Sequence, residues 1–267
     1  MKKSPLVSVV MPAYNHGRYI ARGIESVLSQ TYENVELIVI DDGSKDDTWA
    51  VIESVRARSS RPFVAVTQAN QGVCKTLNRG IAMSSGELVA AVASDDYFLP
   101  DKLRRQVEVF ASSDDSVALV HTSAFLDYQN GAPLEDISGS YLPAVGRCFD
   151  DVLTQRVRVV APSMMFRRSA HDAIGGFDET LAAEDVDFFV RLAAADYGFA
   201  YLPEPLMVKT VVEGSGGSQL RRLIAVHERI LEKQAHRLTS ERREALRALM
   251  YRHLIRLALG GGDYGLA

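Results

Sequence analysis

Five short apolar runs constrain this chain most. Each breaks off at a polar or turn-forming cluster, and the first four lead into a stretch with helical spacing. Residues 6–11 stop at Pro12-Ala13-Tyr14-Asn15-His16-Gly17, after which Ile20, Ile24, Val27 and Leu28 recur at helical spacing. Residues 35–40 stop at Asp41-Asp42-Gly43-Ser44 and precede Trp49, Ile52 and Val55, with Ser44 and Asp47 reading as a capping box. Residues 63–67 lead through 68–72 to Leu77 and Ile81. Residues 88–93 stop at Ser94-Asp95-Asp96, and Pro100 starts a helix with Leu103, Val107 and Phe110 on one face. Residues 117–122 form the fifth run. Continuously apolar strands alternating with helices predict an α/β fold with a mostly parallel central sheet covered by helices on both faces. In such sheets ligands bind beyond the carboxyl ends of the strands. Ala13–Asn15, Asp41–Ser44 and Ser94–Asp96 all fall there, so one crevice is expected to collect them.

The alternation weakens after about residue 127. Residues 127–139 are acidic and turn-rich, 163–167 read as a further strand, and Gly175-Gly176-Phe177-Asp178-Glu179 is a turn leading to Glu184-Asp185. Val186, Phe189, Val190 and Ala193 give the helix after that pair an apolar face. Residues 214–218 are a Gly/Ser break, and 220–258 are helical with an interruption near Thr239-Ser240. The expected division is a catalytic domain over 1–213 and a C-terminal helical extension over 214–267.

At 47% hydrophobic residues a large core can form. Thirty Lys/Arg against 34 Asp/Glu, net −4, gives no reason to expect nucleic acid as a partner. Two cysteines, Cys74 and Cys148, make no disulfide framework, which suits a reducing compartment. The first apolar run is too short for a signal segment, and no run approaches the ~18–20 apolar residues of a membrane span. The expected location is cytoplasmic, at most peripheral at the inner face of the membrane.

The loop after the first run lacks G-x-G-x-x-G, and no G-x-x-x-x-G-K-[ST] occurs, so dinucleotide oxidation and P-loop chemistry are not indicated. The two acidic clusters carry the chemistry. Carboxylates at a strand's carboxyl end are placed to hold a divalent cation, and a second acidic site can supply a base. Together they suggest metal-assisted transfer of a phosphate-linked group to a hydroxyl. Each also has a plain structural reading: Asp is common at helix starts, and Asp, Gly and Ser are ordinary turn formers.

Three ordered blocks sharpen this. LVSVVMPAYNHGRYIARGIESVLSQTYENVELIVIDDGSKDDT, then QANQGVCKTLNRGIAMSSGELVAAVASDDYFLPDKL, then GGFDETLAAEDVDFFVRLA resemble, in order, the family 2 inverting glycosyltransferases over roughly residues 6–205. The resemblance implies the nucleotide-sugar glycosyltransferase A fold (GT-A, Rossmann-like) and single-displacement transfer from a nucleotide sugar, most readily a UDP-sugar. The acceptor would be a hydroxyl of a glycan or lipid-diphosphate-linked sugar, in surface polysaccharide or O-antigen assembly. It implies Mn²⁺ or Mg²⁺ as cofactor. Ser94-Asp95-Asp96 matches the D-x-D motif as an S-D-D variant, with Asp96 at the metal position and Asp95 on the ribose or sugar. Asp42 would accept the imide N–H of uracil, since an ionised carboxylate only accepts. Pro12, Ala13, Tyr14 and Asn15 would line the base, with Tyr14 able to stack on it. Asn70, Gly72 and Lys75 would approach the diphosphate, Lys75 at the start of a helix. Asp185 would be the catalytic base, with Glu184 orienting the acceptor.

The chain departs from the family pattern at 207–214, where no histidine occurs and Lys209 is the only basic candidate. That departure and the S-D-D variant keep a non-catalytic sugar-nucleotide-binding protein in view. A nucleotidyltransferase would need a basic glycine-rich loop after the first run, which is missing. The tail 220–258 carries ten Lys/Arg and four Glu, with stripes at Leu223, Val226, Ile230, Leu231 and at Leu246, Leu249, His253, Leu257. A basic amphipathic helix suits an anionic membrane. The favoured alternative packs these helices on the enzyme or on a second copy in a homo-oligomer.

Overall fold

A computed structural model describes residues 4–181, 184–211 and 220–258. In chain order the elements are β1 (Val7–Ala13), α1 (Ile20–Leu28), β2 (Val35–Asp41), α2 (Thr48–Arg58), β3 (Val64–Thr67), α3 (Val73–Met83), β4 (Leu88–Ala91), β5 (Tyr97–Phe98), α4 (Lys102–Ser112), β6 (Val117–Asp127), β7 (Glu135–Asp136), α5 (Phe149–Leu153), β8 (Met165–Arg167), α6 (Arg168–Ala173), α7 (Glu184–Ala194), β9 (Gly198–Thr210), α8 (Leu220–Lys233) and α9 (Ser240–Ala258). The strands form one sheet in the order β3-β2-β1-β4-β8-β6-β9-β5, with β7 paired to β6.

The first half follows from its apolar runs. β1 lies between β2 and β4, parallel to both. Val7, Val9 and Met11 enter one core layer with Ile20 and Ile24 of α1, while Val10 enters the other with Leu77 and Ile81 of α3. A strand covered on both faces has no polar side to show, which is why it reads as continuously apolar. Gly80 lets α3 lie close: a Cβ there would stand 2.4 Å from Val10 Cγ1. Pro12 is tolerated because the β1–β4 ladder has ended at Val10. The expected capping box is not formed. α2 starts at Thr48, Asp46 Oδ1 accepts the Thr48 N–H at 3.0 Å, and Ser44 Oγ accepts from Asn15 N instead.

The second half is less regular. β8 inserts antiparallel between β4 and β6, so the sheet has long parallel ladders joined by short antiparallel ones. The sequence reading places no strand at the start of β9, and the reason is physical. β9 carries Pro203 and Pro205, and a proline demotes a strand assignment. Both sit where the β6–β9 register slips, between the pairs Thr122↔Leu202 and Ser123↔Pro205, so the missing N–H groups fall at an irregularity.

The C-terminal helices pack on each other and on α5, with Ile230, Leu231, Leu246, Met250 and Leu254 buried. Of the residues named for the two stripes, Ile230, Leu231 and Leu246 face the domain; Leu249 remains 38% exposed. The side chains of Leu223 and Leu257, and the Gly/Ser break at the expected domain boundary, lie outside the described residues. Among the described residues no helix is long and apolar enough to cross a membrane.

Candidate active site

The first two loops at the carboxyl edge of the sheet are tied together by their own polar groups. The Asp42 N–H donates to Ala13 O at 2.8 Å, the Asn15 N–H donates to Ser44 Oγ at 2.9 Å, and Asn15 Oδ1 accepts from Lys45 N at 2.7 Å. Asn15 holds φ +55°, a conformation asparagine tolerates better than most residues. Tyr14 stands 45% exposed over this junction, Pro12 is half-buried and Ala13 is buried.

Asp42 is buried, and its oxygens are largely engaged by the protein. Oδ1 accepts from Gln68 Nε2 at 2.7 Å and from the Gln71 N–H at 2.9 Å; Oδ2 accepts from the Gly72 N–H at 2.9 Å. It therefore docks the start of α3 onto the end of β2, and an acid there also suits the helix dipole. Gly72 caps α3 with φ +88° and open space around it, and Asn70 and Lys75 are exposed. Gly43, at φ +74°, is needed for the close approach: a Cβ would stand 2.8 Å from Asn70 N.

The S-D-D segment divides its carboxylates between inside and outside. Asp96 is 2% exposed, and its Oδ1 accepts the Thr210 N–H at 2.8 Å. Burial pushes its pKa up to about 8, Asp95 adds to the rise, and Lys209, the Thr210 N–H and Arg22 oppose it. The side chain that the resemblance gives to the metal thus points into the protein and pins the end of β9. The Asp95 carboxylate instead reaches the crevice, with 19% of its side chain exposed and its Oδ1 3.9 Å from His16 Nδ1. Ser94 is buried, its Oγ 2.7 Å from the same His16 nitrogen. Thr210 Oγ1 donates to Asp95 O at 2.5 Å, and Arg22 lies against Thr210, Asp127 and the Tyr97 ring.

Asp185 sits in the first turn of α7, and its Oδ1 accepts the Val186 N–H at 2.8 Å. Burial raises its pKa, while the Val186 N–H, Lys209 and His227 act to lower it. Lys209, next to Thr210 at the end of β9, acts on both Asp96 and Asp185. One ammonium thus spans two acidic clusters about 90 residues apart in sequence. Glu184 begins α7, but its side chain lies outside the described residues. The Gly175–Glu179 turn is held from both sides. Asn78 pairs with the N–H and C=O of Phe177, and Lys233 of α8 binds Asp178 at 2.6 Å and the fully buried Asp187 at 2.5 Å.

Gln68, His16, Thr210 and His227 belong to this surround and were not named as site residues from sequence. Gln68 and His16 lie within the quoted blocks, so a signal existed. Thr210 ends a strand broken by prolines and His227 comes after the Gly/Ser stretch, and no periodicity points to either. Among the described residues no group of three or more His, Cys, Asp and Glu is poised to hold a metal. A single carboxylate is still compatible with Mg²⁺ or Mn²⁺, which are commonly held by one or two carboxylates together with substrate phosphates.

Together the sheet, its helices and the acids along its edge define a GT-A glycosyltransferase fold. A profile described as Glycosyl transferase family 2 matches residues 8–175, and the chain belongs to that family. An uncharacterised glycosyltransferase of Nostoc sp. strain PCC 7120 is 40% identical over 121 residues, 45% of this chain and 37% of its own length, so the match spans well under half of that relative. The crystal structure of S. aureus TarS 1–349 in complex with UDP-GlcNAc superposes with TM-score 0.72 at 21% identity, covering 94% of this chain and 72% of that one. The mannosyltransferase PcManGT from Pyrobaculum calidifontis, in complex with GDP-Man and Mn²⁺, gives 0.68 at 18% identity over 98% and 77%.

Proposed function

We propose that the protein transfers a sugar with inversion from a nucleotide sugar, a UDP-sugar first, to a hydroxyl of a glycan or lipid-linked acceptor. The observation that carries this is the end of β9: Thr210 binds Asp96 and the Asp95 backbone, and Lys209 acts on Asp185 across the same edge. In this reading the acceptor oxygen attacks the anomeric carbon from the face opposite the diphosphate. Its proton passes to Asp185, the new C–O bond forms, and the bond to the leaving phosphate oxygen breaks, its electron pair departing with the nucleoside diphosphate. A raised pKa suits Asp185 to that work, because a base is most useful when its pKa lies near the working pH. Lys209 lies where it can offset negative charge on the leaving group.

Tyr14 stacks on the base. Asp42 has about four acceptor sites, three of them used by Gln68, Gln71 and Gly72, and the last is enough for one imide N–H. The α3 amides just ahead of the helix serve Asp42, so Lys75 rather than those amides meets the diphosphate. Asp95, not Asp96, is assigned to the cation, because only Asp95 offers its carboxylate to the crevice. Asp95 would hold a divalent cation, which when bound would neutralise charge developing on the leaving group. Two structural neighbours, one in complex with UDP-GlcNAc and one with GDP-Man and Mn²⁺, support this donor class and metal. Surface polysaccharide assembly rests on the family resemblance.

Calorimetric UDP binding with and without Mn²⁺ tests the donor side. Asp95→Ala should abolish the metal dependence, and Asp96→Asn, which keeps an acceptor for Thr210, should retain it. Metal dependence that survives in Asp95→Ala and disappears in Asp96→Asn would return the metal to Asp96. No UDP binding under either condition would end the uracil assignment.

A further inference from the structure

A cavity opens beside Asp185 that the donor reading does not use. Asp185, Lys209, Gln155 and Arg158 form the polar part of its wall, and the rest is largely apolar, with Val152, Val157, Val160, Pro162 and Phe189. These come from the excursion between β6 and β8 and from α7, so both edges of the slot are built by the half of the sheet that follows β5. Its volume is about 70 Å³. A cavity that holds benzene is about 150 Å³, so a sugar ring does not fit inside, but a side group of a few heavy atoms does.

An apolar wall next to a proton acceptor sets a chemical requirement. The nucleophilic hydroxyl must stay at the mouth, at the Asp185 carboxylate, while whatever enters the slot leaves water without finding hydrogen-bond partners on the apolar side. A hydroxyl turned to the apolar wall would lose its hydration, whereas a methyl placed against it gains by the transfer; a polar atom on the same group can meet Gln155 or Arg158. We propose that this cavity is the acceptor's substituent slot. It takes a compact methyl-bearing group, such as an acetamido arm or the methyl of a deoxysugar, borne beside the hydroxyl that Asp185 deprotonates. The inference rests on the assignment of Asp185 as the base. It names an acceptor class, a sugar with a small methyl-bearing substituent next to its reacting hydroxyl, over a uniformly hydroxylated one.

The test uses the full chain with UDP and Mn²⁺ and two fluorinated probes read by ¹⁹F NMR. One is the methyl glycoside of N-trifluoroacetylglucosamine; the other is a ring-fluorinated methyl glucoside with no acyl arm. The arm-bearing probe should bind at least about tenfold more tightly, the discrimination that a filled or empty apolar subsite gives. Ala161→Leu, which fills the cavity from its wall, should remove that difference. Equal response from the two probes, silence from both, or an undiminished preference in Ala161→Leu overturns the proposal. If Ala161→Leu fails to fold, the wild-type pair decides alone. Release of UDP from donor into water, compared between wild type and Asp185→Asn, reads the base independently. A slot that fails the probe test while hydrolysis still depends on Asp185 therefore sinks the acceptor class and leaves the base standing.

Discussion

The acids of the two halves of this sheet keep different company. On the donor side Asp41, Asp42 and Asp96 each accept hydrogen bonds from neighbouring backbone or side chains: Ser44 and Thr67 for Asp41, three donors for Asp42, the Thr210 amide for Asp96. On the acceptor side Asp185 accepts from the next amide of its own helix and borders an apolar cavity. The first group spends its acceptor capacity on holding loop ends in place. Among the described residues Asp185 ties down no other segment, and burial raises its basicity. A motif carboxylate can therefore build a site or act in it, and what separates the two roles is whether it accepts from another segment of the chain, as Asp42 and Asp96 do, or from its own helix, as Asp185 does.

The largest effect that could break this comparison is on turnover. Asp185→Asn should lower sugar transfer, and donor hydrolysis with it, by about 10²–10⁴-fold, the usual contribution of a positioned base. UDP binding and the thermal midpoint should stay near wild type, since Asn can still accept from Val186. Transfer retained within a few fold would move the base elsewhere and erase the contrast.

Next come two stability effects of about 2 kcal/mol each, one per half. Asp42→Ala leaves the Gln71 and Gly72 amides and Gln68 Nε2 without their acceptor at the start of α3, at about 1–3 kcal/mol for buried donors left unmatched. Lys233→Met removes a charged partner from the fully buried Asp187, which keeps Arg191 at 2.6 Å, so the loss should be about 2 kcal/mol rather than that of an orphaned charge. Denaturant unfolding measures both. An Asp42→Ala midpoint equal to wild type would show that those contacts hold nothing, and would free Asp42 for the nucleotide alone.

How much of this was visible beforehand follows from the same contrast. The donor half was legible because its central strands β1 and β4 are covered on both faces, so the apolar run, its polar terminus and the following helix announce themselves in order; Asp42, Ser94 and Asp95 could be placed at the strand ends from that pattern alone. What the pattern could not give was which way adjacent acids turn. Asp95 and Asp96 differ by one residue, and only the partner strand, through the Thr210 amide, decides that Asp96 goes inward. The acceptor half was less legible because its strand β9 is cut by two prolines and its fixing contacts are long-range. Asn78 reaches Phe177, and Lys233 reaches Asp178 and Asp187.

A smaller effect sharpens the inward role of Asp96. With its folded pKa raised from 3.8 to about 8, the group's contribution is full below pH 4. As pH rises from about 4 toward 8 the unfolded chain gives up this proton while the folded chain holds it, so stability falls. In chelator, Asp96→Asn should therefore gain stability relative to wild type as pH goes from 5 to 8, while still accepting from Thr210. Parallel stability curves for the two proteins would mean that Asp96 ionises freely, and would return it to the crevice.

The smallest expected effect comes from an ion pair with the same geometry as a strong one. Arg58 meets Glu25 at 2.6 Å on the donor side, and Lys233 meets Asp178 at 2.6 Å on the acceptor side. Distance does not separate them, but exposure does: Arg58 and Glu25 are 52% and 55% exposed, against 28% and 23% for the other pair. Water screens the first and side-chain entropy opposes it, so Arg58→Ala should cost no more than about 0.5 kcal/mol. Lys233 also serves Asp187, which has no access to water to replace it. Chemical denaturation of the two variants side by side should give a several-fold difference in lost stability. Equal losses would mean that α8 is held to the Gly175–Glu179 turn by its apolar face alone, with the acids of that turn contributing as little as a surface pair.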